Sequence, residues 1–148
     1  MPMKKLFELV QMQTEDIAMG DTCDGNVLLS PTCEGSFTGE ISGTLIPVGM
    51  GTAYSREPGK NDIDATILLE TSDNKKIIME YSAYFDVNYE IEEKMKCGEY
   101  VNPKEYYYKG IAKFKTDSEK YKWLERKICV TETEIVSWEK LVTRVYLV

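Results

Sequence analysis

The residue types that could carry chemistry in this chain are few, because its 148 residues include no histidine. Histidine is the commonest general base in enzymes, so Ser-His-Asp and Cys-His arrangements are excluded from the sequence alone. Glu80 and Tyr108 are the remaining candidates for acid/base catalysis. A carboxyl group buried among apolar neighbours acquires a raised pKa and can exchange a proton near neutral pH.

Glu80 belongs to an alternating segment, "DIDATILLETSDNKKIIMEYSAYF", that is typical of a β-hairpin. A turn at Asp73-Asn74 would place Glu80 opposite Ile67, on a face that also carries Ser82 and Tyr84; neither face is purely apolar, but the neighbours of Glu80 are the more uniformly apolar. We therefore predict that Glu80 faces the interior and that Tyr84 contacts a ligand. A purely structural interpretation stays open, in which Glu80 stands at a sheet edge or pairs with a lysine.

Tyrosines form a second group of candidates in the alternating segment "EYYYKGIAKFKT". Tyr106 and Tyr108 share one face of this predicted strand with Ala112 and Phe114. A buried tyrosine hydroxyl needs a hydrogen-bond partner, and a ligand carbonyl or phenol could be that partner. The alternative is that these tyrosines only pack in the core.

Four further residues are predicted to contact a ligand, for different reasons. Phe37 lies on the apolar face of a glycine-containing strand, and Tyr54 and Arg56 follow that strand in a predicted loop at the mouth of the fold. Arg144 shares a strand face with Val142 and Tyr146, so it is either a buried counter-ion or a residue whose charged end reaches solvent.

No metal or nucleotide cofactor is predicted. The four cysteines, Cys23, Cys33, Cys97 and Cys129, have no CxxC spacing, and inert or partly buried thiols are the simpler interpretation. Neither a phosphate-binding P-loop nor a GxGxxG motif after a strand occurs.

The charge and hydropathy of the chain restrict its partners. A net charge of -7, from 18 basic and 25 acidic residues, argues against binding to nucleic acid or to an anionic membrane. No apolar run approaches the length of about 20 residues that a spanning helix needs. The start, "MPMKKLFELVQMQTED", lacks the features of a signal peptide, so we predict the first strand of a cytoplasmic protein. Assembly into a homo-oligomer is left open.

Most of the chain alternates with a period of two, which predicts β-strands. We predict about eight strands in a single domain spanning residues 1–148, with one short helix near 117–126. No strand-helix repeat occurs, so an antiparallel, closed or nearly closed β-barrel is favoured over a parallel sheet. The acidic segment 86–104 is compatible with either a short helix or a lid loop.

Glycines recur every fourth residue in "CEGSFTGEISGTLIP", residues 33–47, which we predict to be one strand. Gly35, Gly39 and Gly43 then point inward with Phe37, where they let the sheet curl and leave volume inside. A barrel of eight strands either fills with side chains or holds one small ligand. Both possibilities remain open from the sequence.

Several of these motifs together resemble those of the domain-of-unknown-function family 3237. They are Gly-x-Phe-x-Gly at residues 35–39, the hairpin with Asp64 and the Thr-x-Asp turn at 71–73, and the aromatic-Trp-Leu motif at 121–124. The resemblance extends from about Leu6 to Val148 and implies a calycin-like or allene-oxide-cyclase-like barrel. Many members continue with a Gly-Ala-Asp-Trp-like segment, whereas this chain has "VGMGTAYSRE".

Two hypotheses about function follow. In the first, the barrel binds a small, partly apolar molecule in its lumen and acts on it by Tyr/carboxylate proton transfer without metal or nucleotide. In the second, the barrel is filled by side chains and serves as a non-catalytic assembly or interaction module. A cavity above about 300 Å³ lined by Glu80 and Tyr108 would favour the first hypothesis, and a barrel filled by Phe37 and by tyrosine and isoleucine side chains would favour the second.

Overall fold

The fold is a nine-stranded antiparallel sheet with one α-helix, seen in a computed structural model that describes residues 3–148. The strands are β1 (Lys4–Gln13), β2 (Ile17–Thr22), β3 (Gly25–Gly39), β4 (Gly43–Glu57), β5 (Lys60–Thr71), β6 (Lys76–Asp86), β7 (Tyr107–Thr116), β8 (Cys129–Ser137) and β9 (Lys140–Leu147). The helix α1 spans Tyr89–Lys96, and short 3-10 helices span Pro103–Glu105 and Lys122–Arg126.

Eight of the strands close into a barrel. The sheet order is β1-β9-β8-β7-β6-β5-β4-β3-β2, and β1 pairs with both β9 and β3, which closes the ring. Strand β2 lies outside the ring and pairs only with β3. The predicted antiparallel barrel of about eight strands is thus confirmed.

Alternation of apolar and polar residues selects the inner face of each strand. In β6 the residues Ile77, Met79, Tyr81, Ala83 and Phe85 are all buried, and every residue between them is exposed. Because successive side chains point to opposite faces of a strand, this pattern places one set in the barrel core and the other in solvent.

One end of the barrel, which we call the lower end, holds the β3–β4 and β5–β6 turns and is filled by side chains. The ring of Phe7 lies 5.3 Å from that of Phe37 and 6.1 Å from that of Phe114. Leu124, in the second 3-10 helix, is fully buried. The short helix predicted near 117–126 therefore forms as a 3-10 helix, while the only α-helix among residues 3–148 lies in the segment 86–104.

The stretch 33–47 is divided between two strands, contrary to the prediction of a single one. β3 ends at Gly39, a turn follows, and β4 begins at Gly43. The predicted loop 48–61 is mostly the second half of β4. A Cβ atom at Gly35 would clash with the carbonyl oxygen of Val10 and lie 2.6 Å from a methyl carbon of Leu45. Absence of a side chain at Gly35 thus allows close packing and leaves no open space there.

Asp73, at the lower end of the barrel, connects the Thr-x-Asp turn with the aromatic-Trp-Leu motif. Its carboxylate accepts hydrogen bonds from the hydroxyls of Thr71, at 2.7 Å, and Tyr121, at 2.8 Å, and forms an ion pair with Lys120 at 3.0 Å. The Thr-x-Asp turn and the aromatic-Trp-Leu motif are therefore in direct contact. These two motifs stabilise the closed end of the barrel.

Replacing Asp73 should destabilise the fold in a pH-dependent manner. The hydrogen bond from Thr71, followed by those from Tyr121 and Lys120, lowers the pKa of Asp73 from its ordinary value. A lowered folded-state pKa stabilises the fold above the unfolded-state pKa of about 3.9, and this stabilisation is lost as the pH falls further. We expect Asp73→Asn to reduce the free energy of unfolding at pH 7 and to reduce it less at pH 3. Urea denaturation at the two pH values measures this difference.

Asp117→Asn provides the control, because Asp117 is exposed and makes no ion pair within residues 3–148. It should change the free energy of unfolding little at either pH. An equal loss for Asp73→Asn at pH 7 and pH 3 would contradict the assigned role of the carboxylate.

Candidate functional site

The opposite, upper end of the barrel holds a cavity of about 500 Å³. All eight strands of the ring contribute lining residues, and α1 lies at the mouth. The lower end of the lumen is closed by the phenylalanine cluster, so the cavity opens only upward among the residues that the structure describes. The lumen is therefore filled by side chains in its lower half and open in its upper half.

Small residues on β4 and β5 leave the space that forms the cavity. Gly51 of β4 pairs in register with Ala65 of β5, and Ala53 pairs with Ile63. A Cβ atom at Gly51 would find its nearest neighbour, the Ser30 carbonyl oxygen, at 3.6 Å, which is an ordinary contact. The volume therefore comes from Gly51, Ala53 and Ala65 rather than from the glycines of 33–47.

The wall opposite these small residues carries hydroxyl groups. The Tyr81 hydroxyl lies 3.1 Å from that of Thr133, and Thr133 lies 2.9 Å from the hydroxyl of Thr143. These residues belong to β6, β8 and β9, and all are buried. Tyr108, on β7, lines the same wall and stacks on Phe85, with ring centroids 4.7 Å apart.

Burial raises the pKa of both cavity tyrosines. The pKa of Tyr108 lies well above its ordinary value, first because of burial and then because of the neighbouring Tyr81 hydroxyl. Burial also raises the pKa of Tyr81, against the opposing effect of the hydrogen bond with Thr133. Both hydroxyls therefore keep their protons at neutral pH and can donate hydrogen bonds.

One buried polar side chain in the cavity, Gln11, makes no side-chain hydrogen bond among residues 3–148. Gln11 of β1 is 7% exposed and lines the cavity together with Tyr108, which is 8% exposed and next to the Tyr81 hydroxyl. Buried polar groups are nearly always hydrogen-bonded, so an unpartnered amide facing an open space is typical of a site that binds something.

The charged residues of the cavity all lie at its mouth. Lys96 and Glu92 of α1 form an ion pair at 2.9 Å, and Asp16 accepts a hydrogen bond from Ser30 at 2.7 Å. The helix begins at Asn88, whose side chain accepts a hydrogen bond from the Ile91 backbone N–H.

The prediction that Glu80 faces the lumen is wrong. Glu80 pairs in register with Thr66 and not with Ile67, and its side chain is 47% exposed, in a 2.7 Å ion pair with Lys115. The turn between β5 and β6 is one residue longer than predicted, because Asn74 adopts a left-handed conformation and the Thr71 N–H donates to Lys75. A shift of one residue moves every side chain of a strand to the other face.

Tyr84, Tyr54 and Arg56 also lie outside the cavity. Tyr84 shares the outer face with Glu80 and is 63% exposed. Tyr54 and Arg56 lie in β4 and not in a loop; their neighbours Ala53 and Ser55 line the cavity, so both point outward. Arg56 forms ion pairs with two aspartates on the surface, at 3.6 and 3.9 Å.

Phe37, Tyr106 and Arg144 have structural contacts. Phe37 is buried in the cluster at the lower end. The Tyr106 hydroxyl accepts a hydrogen bond from the backbone N–H of Ile135, at 2.8 Å, where β8 has no pairing with β7. Arg144 lies on the outer face, in contact with Glu134 at 3.3 Å and with Glu8 at 3.9 Å. Of the predicted site residues, only Tyr108 lines the cavity.

None of the four cysteines lines the cavity. Burial raises the pKa of the Cys129 thiol to about 11, and Cys23 and Cys97 are exposed. Across residues 3–148, no group of three or more His, Cys, Asp or Glu side chains is arranged to hold a metal ion. Within the same range, no helix has both the length and the apolar composition that crossing a bilayer requires.

Sequence comparison identifies the family to which this barrel belongs. The profile of the family described as "Protein of unknown function (DUF3237)" matches residues 2–148. This chain is a DUF3237 protein. A UPF0311 protein of Clostridium acetobutylicum is 30% identical over 129 residues, which cover 86% of this chain and 82% of the relative.

Solved structures similar to this DUF3237 chain share its barrel. A conserved protein of unknown function from Rhodopseudomonas palustris superimposes with a TM-score of 0.90 at 23% identity, covering 99% of this chain and 96% of its own. A β-barrel-like protein from Acinetobacter baumannii gives 0.84 at 26% identity, covering 99% and 96%. A protein from Penicillium herquei, described as an enzyme, gives 0.69 at 20% identity, covering 97% and 93%.

Proposed function

We propose that this DUF3237 protein binds a small, partly apolar molecule in the upper half of its barrel. The observation that carries this proposal is the cavity of about 500 Å³, which is lined by the buried polar side chains of Tyr108 and of Gln11, the latter without a hydrogen-bond partner among residues 3–148. Cavities that bind small molecules have volumes of about 300–1,000 Å³ and are mostly apolar with a few convergent polar groups. An interaction module with a filled barrel, the alternative hypothesis, would leave no reason for such a space.

The cavity has a polar wall and an apolar wall. Tyr81 and Thr143 line one side, with Thr133 hydrogen-bonded to both, and Ile63, Ala65 and Ile67 line the other. A flat molecule with one polar edge fits between walls of this kind, because its apolar face leaves water while its polar edge keeps hydrogen bonds.

Chemistry on the bound molecule would depend on the tyrosine pair. Neither Tyr81 nor Tyr108 is a suitable base at neutral pH, since burial raises the pKa of both. Two protonated hydroxyls can instead stabilise negative charge that develops on a carbonyl oxygen. This proposal replaces the predicted Tyr/carboxylate transfer, because Glu80 lies on the outer face. The Penicillium herquei relative is described as an enzyme, which makes a search for turnover worthwhile.

The test is a fluorescence titration with 6-propionyl-2-(dimethylamino)naphthalene, a neutral naphthyl ketone whose emission reports the polarity of its surroundings. We expect saturable binding with a blue-shifted emission. Ala65→Phe should weaken binding about 100-fold or more, since the new ring occupies the cavity, and should change stability little because space exists for the ring.

Thr66→Phe is the matched control, because Thr66 is the next residue of β5 and is exposed on the outer face. It adds the same ring to the same strand and should leave the affinity unchanged. If the ketone does not bind, or if both variants bind it as the unmodified chain does, the cavity is not the binding site and the proposal fails.

A further inference from the structure

We propose that the ligand is an uncharged molecule with a hydrogen-bonding polar edge, and that Gln11 determines this specificity. The inference rests on the proposed function, since it concerns the same cavity. What it adds is the charge of the ligand. The starting observation is that the interior of the cavity contains polar groups without any charged side chain among residues 3–148.

Among residues 3–148, Lys96 is the only cation that lines the cavity, and it is already neutralised. Lys96 lies on α1 at the mouth, within 2.9 Å of Glu92. The remaining charged residue at the mouth, Asp16, is a carboxylate. A carboxylate, phosphate or sulfonate group entering the cavity would thus pass the negative side chain of Asp16 and find no free cation beyond it in the described part of the chain.

An anion inside this cavity would remain uncompensated. Burial of a charge without a partner is strongly unfavourable, because hydroxyl and amide dipoles replace only part of the water that is lost. A neutral carbonyl or hydroxyl group loses much less solvation and can form hydrogen bonds with the same dipoles. The cavity therefore discriminates against anionic ligands, because it offers no cation to compensate their charge.

Gln11 is a buried, uncharged polar residue of the cavity lining. It lies on the inner face of β1, and its neighbour in register on β9 is Leu141, two residues from Thr143. Gln11 thus extends the series of hydroxyls of Tyr81, Thr133 and Thr143 toward β1. Its amide offers both a donor and an acceptor without charge, and it has no partner among residues 3–148.

Two probes of the same shape test the charge preference. The first is 6-propionyl-2-(dimethylamino)naphthalene, and the second is 6-(dimethylamino)-2-naphthoic acid, which is an anion at pH 7.5. We expect the carboxylate to bind about 100-fold more weakly, or not at all. Equal affinities would overturn this inference and leave the proposed function intact. Failure of both probes to bind would overturn the proposed function and this inference with it.

Gln11→Lys tests the role of Gln11 in specificity, because the variant should bind the carboxylate probe more tightly. The new ammonium group supplies the missing counter-ion, so the ratio of ketone to carboxylate affinity should fall at least tenfold. Met12→Lys is the matched control, because Met12 is the next residue of β1 and lies on the other face, outside the cavity lining. It adds the same charge to the chain and should leave the ratio unchanged.

A smaller change keeps the assignment testable if the lysine variant does not fold. Gln11→Leu has nearly the same size and removes both hydrogen-bonding groups. It should keep the thermal midpoint and weaken binding of 6-acetyl-2-naphthol more than binding of 2-acetylnaphthalene, which lacks the second polar group. Equal losses for these two ligands would show that Gln11 has only a packing role and would overturn its assignment.

Discussion

Gly35→Ala is expected to lower the free energy of unfolding by about 3 kcal/mol, although it adds a single methyl group. The added Cβ would clash with the Val10 carbonyl oxygen on β1 and lie 2.6 Å from a methyl carbon of Leu45. The backbone of β1 cannot retreat, because it is paired with β3 on one side and β9 on the other. Denaturation in urea, with the midpoint and slope compared with those of the unmodified chain, measures the loss.

Gly51→Ala is the control for this prediction. The same methyl group at Gly51 would face the cavity, with no neighbour nearer than 3.6 Å. It should be neutral or stabilise the fold by about 0.4–1 kcal/mol, because alanine has fewer conformations in the unfolded chain. Similar losses for both variants would mean that glycine conformation, and not the contact with β1, decides the effect.

Phe37→Ala is expected to lower the free energy of unfolding by about 3–5 kcal/mol. Phe37 is 1% exposed, and its ring lies against that of Phe7 in the filled end of the barrel. Removal of the ring leaves a space that surrounding strands cannot close, since they are held by the ladder on both sides. Equilibrium denaturation monitored by circular dichroism measures the effect.

The neighbouring variant Thr38→Ala, on the exposed face of the same strand, should change stability by less than about 0.5 kcal/mol. Because Phe37 does not line the cavity, Phe37→Ala should also leave the affinity for the naphthyl ketone unchanged. A loss of binding that matches the loss of stability would contradict the separation of the barrel into a filled end and a binding end.

The barrel itself could be predicted because its determinants are local. Alternation in segments such as 76–86 sets the inner face, and the absence of strand-helix repeats leaves few arrangements other than an antiparallel one. The sequence does not predict strand β2, since "IAMGDT" is short and exposed and carries no alternating pattern. The sequence does not distinguish helix α1 from a loop for a similar reason: Ile91 and Met95 are the only buried residues of that helix.

Register was the part that the sequence could not determine. Asp73 and Asn74 are both suited to a tight turn, and only the left-handed backbone at Asn74 selects the longer one. That single residue moved Glu80 to the outer face and brought Tyr81 into the cavity. One sequence signal does indicate the inner face of β6. Ile77, Met79 and Tyr81 are apolar or aromatic, whereas the residues between them include Glu80.

Gln11 and the threonines of the cavity were missed because their types are common on surfaces. Residue type alone gives no reason to place Gln11, Thr133 or Thr143 inside. Their burial depends on which strands close the ring, and this is a long-range property of the fold. The alternation of "FELVQMQ" does place Gln11 with Phe7 and Leu9, which is the one local signal that could have found it.

Closure of the ring by β1 has a consequence for folding during synthesis. The two strands that flank β1 are β3 and β9, and about 100 residues separate them in the sequence, so β1 keeps one unsatisfied edge until β9 has been synthesised. During that interval its exposed amides can pair with another nascent chain. The risk of such pairing therefore depends on the delay between β1 and β9, whatever the stability of the finished barrel.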